Sequence, residues 1–181
     1  MSLYRYVSAK DDLVLLMSDA AIGAPPEPAP ETESWREQLR IWSRAQVAVY
    51  LQHPWLLDIP IGGGFPSTPN NVAWLDAGLA ALADTPLDRV ERLAVALLVL
   101  SQTRWQGIIE RSYDEAAKAS GADPDEIDIA MEGMLHTLIT PEAFPEVHAT
   151  LLAGAFGPEG GDPFAFGLER VLDGIEHYLR E

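Results

Sequence analysis

Four points along the chain carry a side chain that can cap a helix, followed at once by proline. They are Thr85 before Pro86, Asp123 before Pro124, Thr140 before Pro141 and Asp162 before Pro163. Proline suits the first turn of a helix, because the N–H group that it lacks would have no partner there, and Thr or Asp accepts a hydrogen bond from a free backbone donor. No alternating run of β-branched residues indicates a strand. This repeated pattern therefore predicts an all-α fold made of several separate helices.

Apolar spacing and further caps predict the remaining helices. Ser34 and Glu37 have the spacing of a capping box, and the helix that they open is expected to end near His53, because Pro54 disfavours helical geometry at the residue before it. In chain order, we predict a helix that ends before Gly23, one from Ser34 to near His53, a short one over 71–82 capped by Asn71, a long one over 86–119, and helices opened by Asp123, Thr140 and Asp162.

Charge and composition limit the classes of function. The chain has 12 basic and 28 acidic residues, a net charge of −16, and residues 1–10 contain Arg5 and Lys10 but no acid, which leaves −18 on the other 171 residues. Because phosphate contacts need Lys and Arg, only the first ten residues suit DNA. The absence of cysteine excludes disulfides and thiolate metal sites. The apolar run over 93–100 is far shorter than the roughly 20 residues that span a bilayer, so we expect a cytoplasmic protein without membrane contact.

Several short strings occur in an order that is typical of one family. They are Ser2, Leu3, Tyr4, Arg5, Tyr6 and Val7 with Lys10; the pair Trp35 and Arg36; LQHPWL over 51–56; and FAFGL from Phe164, followed by Leu172, Gly174 and Ile175. Together they resemble the TetR-type transcriptional regulators of the tetracycline-repressor branch. The first string resembles the last helix of the family's helix-turn-helix head.

The resemblance implies a domain organisation. Residues 1–22 are interpreted as the remnant of the DNA-binding head with its connecting helix, 23–33 as a Pro-rich linker, and 34–181 as a multi-helix ligand-binding and dimerisation bundle. The DNA contacts that it implies are Ser2, Tyr4, Arg5, Tyr6 and Lys10. Two upstream helices of such a head are not in the sequence, which we interpret as a misplaced start, a cloning boundary or a natural short form. We therefore expect impaired operator binding by this chain.

The resemblance also implies two partners besides operator DNA, a small hydrophobic ligand and a second copy of the chain. The ligand pocket of the middle helices is predicted to contain Trp42, Gln46, Tyr50, Trp55, Trp74, Gln102, Trp105, His136, Phe144 and His148. The interface of the homodimer is predicted to contain Leu93, Leu97, Leu100, Arg104, Leu168, Val171, Leu172, Ile175 and Leu179. In this interpretation the ligand favours a spacing of the two heads that no longer fits a palindromic operator.

Two other classes of function stay open. One is a stand-alone module that binds a ligand or a full-length partner without touching DNA. The other is a small helical enzyme that uses Glu132 and His136, which lie four residues apart on one helix face. The chain has no HExxH, ExxH or GxSxG motif, which argues against known classes of metal and serine hydrolase site. We accordingly expect no cofactor, no metal and no catalysis.

Overall fold

The computed structural model describes residues 10–27, 34–59, 68–157 and 161–180. Within these ranges it contains seven α-helices and no strand, so the predicted all-α fold is confirmed. The helices are α1 (Lys10–Ile22), α2 (Trp35–Gln52), α3 (Pro69–Ala80), α4 (Arg89–Ser120), α5 (Pro124–Leu138), α6 (Pro145–Leu152) and α7 (Pro163–Tyr178), and a 3-10 helix, Pro54–Asp58, follows α2. None of the described helices is long and apolar enough to cross a membrane.

Three of the predicted caps open helices where we expected them. The Ser34 hydroxyl accepts a hydrogen bond from the backbone N–H three residues later, at 3.3 Å. Asp123 and Glu126 form a complete capping box, in which each side chain accepts from the other residue's backbone N–H. The Asp162 carboxylate accepts from the backbone N–H of Ala165 at 2.9 Å. Local side-chain chemistry thus sets the start of α2, α5 and α7.

The long helix begins later than predicted. Thr85 does not cap it: this residue is buried, and its hydroxyl donates to the carbonyl of Leu82 at 2.7 Å. The cap is Asp88, whose carboxylate accepts from the backbone N–H groups of Val90 and Glu91, both at 2.8 Å. An aspartate can accept two such bonds at once, so it forms the stronger cap, and α4 starts at Arg89.

Two other predicted starts are also displaced. Thr140 and Pro141 open a turn, and α6 begins only at Pro145. Near α3, Asn71 is inside the helix rather than before it, and its amide donates to the hydroxyl of Thr68 at 2.6 Å. In both cases the helix starts at a proline, whose fixed φ angle already suits the first turn.

The chain divides into two compact units, the first formed by Met1–Ile108 with Arg170–Glu181 and the second by Ile109–Glu169. In the first unit α3 contacts both α1 and α2, and in the second α5 contacts α6. The buried residues of the first unit include Leu39, Trp42, Tyr50, Leu56, Leu57, Trp74, Leu82, Leu87, Ala96, Val99, Leu172 and Ile175. The predicted boundaries after residues 22 and 33 both fall within this unit and stay a prediction.

Candidate functional site

Helices α2 and α4 meet along two buried stripes in the first unit. The stripe on α2 consists of Leu39, Trp42, Ser43, Gln46 and Tyr50, and that on α4 of Ala96, Val99, Thr103 and Gly107. The hydroxyls of Ser43 and Thr103 are 2.9 Å apart, and the Thr103 hydroxyl donates to the carbonyl of Val99 at 2.8 Å. A hydroxyl has one proton to donate, so Ser43 is the donor in the pair. Both hydroxyl protons of this pair are thus donated to acceptors inside the site.

A glycine lets α4 lie against an aromatic ring. A Cβ atom added at Gly107 would lie 2.9 Å from Cδ2 of Tyr50, closer than real Cβ contacts come. Because Ser43 faces Thr103 and Tyr50 faces Gly107, the two helices run in the same direction at this contact.

Gln46 lies on the α2 stripe between Ser43 and Tyr50 and carries the most unusual atom of the site. The residue is 4% exposed, and its Oε1 has no hydrogen-bond partner among the described residues. A buried acceptor without a partner costs about 1–3 kcal/mol, and native proteins contain few of them. The position therefore suits a bound molecule that donates a hydrogen bond.

Arg104 and Tyr50 form the polar edge of the same site. The Arg104 guanidinium donates to the carbonyls of Leu57, at 2.6 Å, and Ile59, at 3.1 Å, and so ties the end of the 3-10 helix to α4. Burial raises the pKa of Tyr50 above its ordinary value, while the charge of Arg104 and its hydrogen bond to the phenol oppose that rise. The phenol is therefore neutral near pH 7. An apolar site with a few polar groups, here Gln46, Tyr50 and the guanidinium of Arg104, suits a small hydrophobic molecule.

Helix α3 completes the surroundings of Trp42. The indole N–H of Trp42 donates to the carbonyl of Trp74 at 2.9 Å, and the indole N–H of Trp74 donates to the carbonyl of Gly23 at 3.0 Å. A Cβ atom at Gly78 would lie 2.8 Å from Cζ2 of Trp42. Both rings are buried, and α3 touches the Trp42 ring without free space at Gly78.

The predicted pocket residues fall into separate groups. Four of them are buried in the first unit with the contacts given above: Trp42, Gln46, Tyr50 and Trp74. In the same unit Gln102 is half-buried, and Trp55 and Trp105 are exposed. In the second unit His148 is half-buried, and His136 and Phe144 are exposed. Pocket contact stays a prediction for all ten.

The predicted dimer residues differ in the surface that they offer. Leu93 and Leu97 are exposed, and Leu100, Arg104, Val171 and Leu179 are half-buried. Leu168, Leu172 and Ile175 are buried within the chain itself, so they offer almost no surface to a partner as the structure stands. One turn of α7 is held to α2 by Arg36, which pairs with Asp173 and with Glu176. Hydrogen bonds from Arg36 and Arg170 lower the pKa of Asp173.

Two further predictions concern DNA and metal. Ser2, Tyr4, Arg5 and Tyr6 lie outside the described residues, and Lys10 is exposed at the first position of α1. Among the residues that the structure describes, no three His, Asp or Glu side chains gather into a metal-binding group. Glu132 instead lies against Gly157, where an added Cβ would be 2.7 Å from its carboxylate.

Sequence reasoning missed Ser43 and Thr103, and it missed the ion pairs of Arg36 with α7. The first two carried a usable signal, because each is a small polar residue within an apolar stripe of helical spacing. The partners of Arg36 lie 137 and 140 residues away, so no local pattern could indicate them.

The chain matches known proteins over most of its length. Residues 27–179 match the family described as tetracyclin repressor-like, C-terminal domain. The chain is 31% identical to the transcriptional repressor DrrR1 of Streptomyces coeruleorubidus over 97% of its own length, and 33% identical to a transcriptional regulator of Saccharopolyspora erythraea over 89%. It spans only 64% and 62% of those two relatives. These relatives are regulators of transcription, not enzymes.

Solved structures share the fold. The TetR family protein ActR of Streptomyces coelicolor, in complex with actinorhodin, superimposes with a TM-score of 0.73 at 21% identity, over 99% of this chain and 81% of that one. Its complex with (S)-DNPA gives a TM-score of 0.74 at 20% identity, over 97% and 79%. The described helices and the match over 27–179 agree, and the chain therefore belongs to the tetracyclin repressor-like (TetR) family of transcriptional regulators.

Proposed function

We propose that this chain is the ligand-binding and dimerisation part of a cytoplasmic transcriptional repressor, and that a small hydrophobic molecule relieves repression. Two relatives support repression, because both DrrR1 and a 26% identical protein of Mycobacterium tuberculosis are named transcriptional repressors. Structures of ActR with two different small molecules support ligand control. The ligand would shift the population of the dimer away from the form that fits DNA.

The observation that carries the ligand proposal is the unpartnered Oε1 of Gln46. The apolar rings of Trp42 and Tyr50 lie one helical turn to either side of it on α2. A planar, largely apolar molecule with a hydroxyl or N–H group would satisfy this acceptor and replace packing contacts of the rings. We therefore propose a ligand of this class, with Gln46 as its hydrogen-bond acceptor.

The test makes two measurements on each variant, the free energy of unfolding without ligand and the affinity for actinorhodin. Replacing Gln46 by Met keeps the length of the side chain and removes the unpartnered acceptor. We expect Gln46→Met to raise the free energy of unfolding in urea by about 1 kcal/mol. We also expect it to lower the affinity for actinorhodin, measured by quenching of tryptophan fluorescence, at least tenfold. Gln52→Met is the matched control, since Gln52 is exposed at the end of the same helix; it should change stability by less than about 0.5 kcal/mol.

Two results would contradict the role of Gln46. If Gln46→Met destabilised the protein, its oxygen would have a structural partner. If the variant kept full affinity for actinorhodin, the oxygen would not contact this ligand. Failure of the wild-type protein to bind actinorhodin would exclude actinorhodin as a ligand of this site, and the change in stability of Gln46→Met would then decide whether the oxygen lacks a partner.

The dimer proposal rests on exposed apolar residues of the first unit. Val90, Leu93 and Leu97 are exposed along α4, and their spacing of three and four residues places them on one face of the helix. Tyr178 at the end of α7 donates a hydrogen bond to Glu91, so the end of α7 lies beside the start of α4. We propose that these two helices pack against the same pair of a second copy around a two-fold axis.

We propose palindromic operator DNA as a further partner. The N-terminal residues Ser2, Tyr4, Arg5, Tyr6 and Lys10 are the proposed contacts.

A further inference from the structure

Two indole N–H groups join three helices of the first unit in series. Trp42 on α2 donates to the carbonyl of Trp74 on α3, and Trp74 donates to the carbonyl of Gly23 after α1, at 2.9 and 3.0 Å. An indole has a single donor, so each ring makes its only hydrogen bond to the next helix in the series. Both rings are buried.

The far end of this series is held firmly to α1. The backbone N–H of Asn70 donates to the Asp19 carboxylate, and the Asn70 side-chain amide donates to the Asp19 carbonyl, both at 2.8 Å. Gly23 follows α1 with a φ angle of +61°, a conformation that favours glycine, and its N–H donates to the Asp19 carbonyl at 3.2 Å. α3 thus contacts the end of α1 through polar groups at Asp19 and Gly23, one helical turn apart.

The near end of the series lies at the proposed ligand site. Trp42 is one helical turn from Gln46 on the same stripe of α2. Its ring leaves no space at Gly78, where an added Cβ would be 2.8 Å from Cζ2. Close-packed interiors transmit displacement rather than absorb it, so a shift of the Trp42 ring toward α3 would displace that helix.

We propose that Trp42 and Trp74 form an indole relay, in which movement of α2 at Gln46 is passed through α3 to the end of α1. The inference rests on the proposed function in one respect, that a ligand is what moves α2. A second route exists between the same helices, because Ala21 of α1 packs against the cluster of Tyr50, Leu56 and Leu57. The experiment must therefore separate the relay from this apolar contact.

Amide hydrogen exchange of the full chain, followed by NMR, tests the relay without any ligand. The variants are Trp42→Phe, Trp74→Phe and the double variant, each of which removes an indole N–H and keeps an aromatic ring. The readout is the Gly23 amide, and the Val99 amide in α4 serves as the reference for global unfolding. Trp105→Phe is the matched control, since Trp105 is 59% exposed.

The relay predicts a specific pattern of exchange rates. Trp74→Phe should speed exchange at Gly23 by about fivefold relative to Val99, the effect of losing one buried hydrogen bond. Trp42→Phe should also speed it, by at least twofold, although its indole bonds to α3 and not to α1. The double variant should exchange no faster than Trp74→Phe, because Trp42 acts on Gly23 only through the hydrogen bond that Trp74→Phe has already removed. Trp105→Phe should have no effect.

Three results would overturn the relay. The first is that Trp42→Phe leaves the exchange rate of the Gly23 amide unchanged. The second is that the effects of the two single variants add in the double variant. The third is that Tyr50→Leu alone reproduces the effect of Trp42→Phe, which would assign the coupling to the apolar cluster.

A separate experiment adds saturating actinorhodin. Actinorhodin should alter exchange at the Gly23 amide in wild type but not in Trp74→Phe. For this comparison both proteins must bind actinorhodin with the same affinity. If actinorhodin does not bind wild type, the proposed ligand fails, and the variant cycle alone decides on the relay.

Discussion

The two units of the chain differ in what becomes of their apolar side chains. Among the described residues of the first unit, fourteen hydrophobic residues are buried, although twelve large ones are exposed. Among the described residues of the second unit, the buried hydrophobic residues are only Ile139, Leu151 and Leu168, and α5 has no buried residue at all. Exposed apolar residues of that unit include Ile129, Met134, Leu138, Phe144, Leu152 and Phe166.

Local helix capping is similar in the two units, since Asp88 and Glu91 form a reciprocal capping box at the start of α4 in the first unit. A complete capping box opens α5, and the Tyr113 hydroxyl donates to the Asp128 carboxylate at 2.7 Å, a bond that raises the pKa of Tyr113. A helix with good caps and little buried surface forms readily but is held weakly by its surroundings. The two units therefore differ in the number of their buried apolar residues and not in the capping of their helices.

The largest expected effect contrasts one leucine from each unit. Leu39 is fully buried, and Leu138 is 67% exposed. We expect Leu39→Ala to lower the free energy of unfolding by about 3 kcal/mol, through lost burial and the cavity left behind, and Leu138→Ala to lower it by less than about 0.5 kcal/mol. Urea unfolding followed by circular dichroism measures both. A loss at Leu138 as large as that at Leu39 would show that α5 is covered in solution and would remove the contrast.

The next prediction concerns which exposed apolar surface a second copy of the chain covers. Leu97 on α4 is 42% exposed in the first unit, and Leu138 again supplies the matched position in the second. Because a two-fold interface contains each residue twice, Leu97→Glu should weaken dimerisation by about 100-fold, the result of burying two carboxylates. Leu138→Glu should leave it unchanged. Sedimentation over a range of concentrations measures this, and the opposite ranking would move the interface to the second unit.

The smallest effect uses two glycines within helices. At Gly107 an added Cβ would lie 2.9 Å from Tyr50, whereas at Gly133 in α5 nothing lies within 4 Å. Gly107→Ala should therefore destabilise the protein by about 1–2 kcal/mol because the ring must move. Gly133→Ala should stabilise it by about 0.5–1 kcal/mol, since alanine favours helix. Thermal unfolding of both variants checks the signs, and equal signs would mean that the two helices are packed alike.

Much of the fold could be predicted because helix starts are local events. The caps at Ser34, Asp123 and Asp162 were predicted from neighbouring residues and are confirmed. The starts of α3, α4 and α6 were displaced by two to four residues. At α4 two capping residues, Thr85 and Asp88, lay close together, and at α3 and α6 a proline without a side-chain cap before it opens the helix.

The candidate site was less accessible to prediction. An aromatic or polar residue at helical spacing on α2 predicts burial, and Trp42, Gln46 and Tyr50 are buried. Which helix each one meets depends on contacts that span many residues, such as the 60 between Ser43 and Thr103. For the same reason the burial of Leu172 and Ile175 within the chain could not be distinguished from a place in a dimer interface.

The buried hydroxyl pair of Ser43 and Thr103 has a consequence for how α2 and α4 align. If either helix slid by one turn along the other, the Ser43 hydroxyl would face Val99 or Gly107, neither of which has a polar side chain, and its hydrogen bond would be lost without access to water. Such a pair adds little to overall stability but discriminates against wrong alignments. The pair therefore selects one register of α2 against α4 out of several that apolar side chains alone would permit.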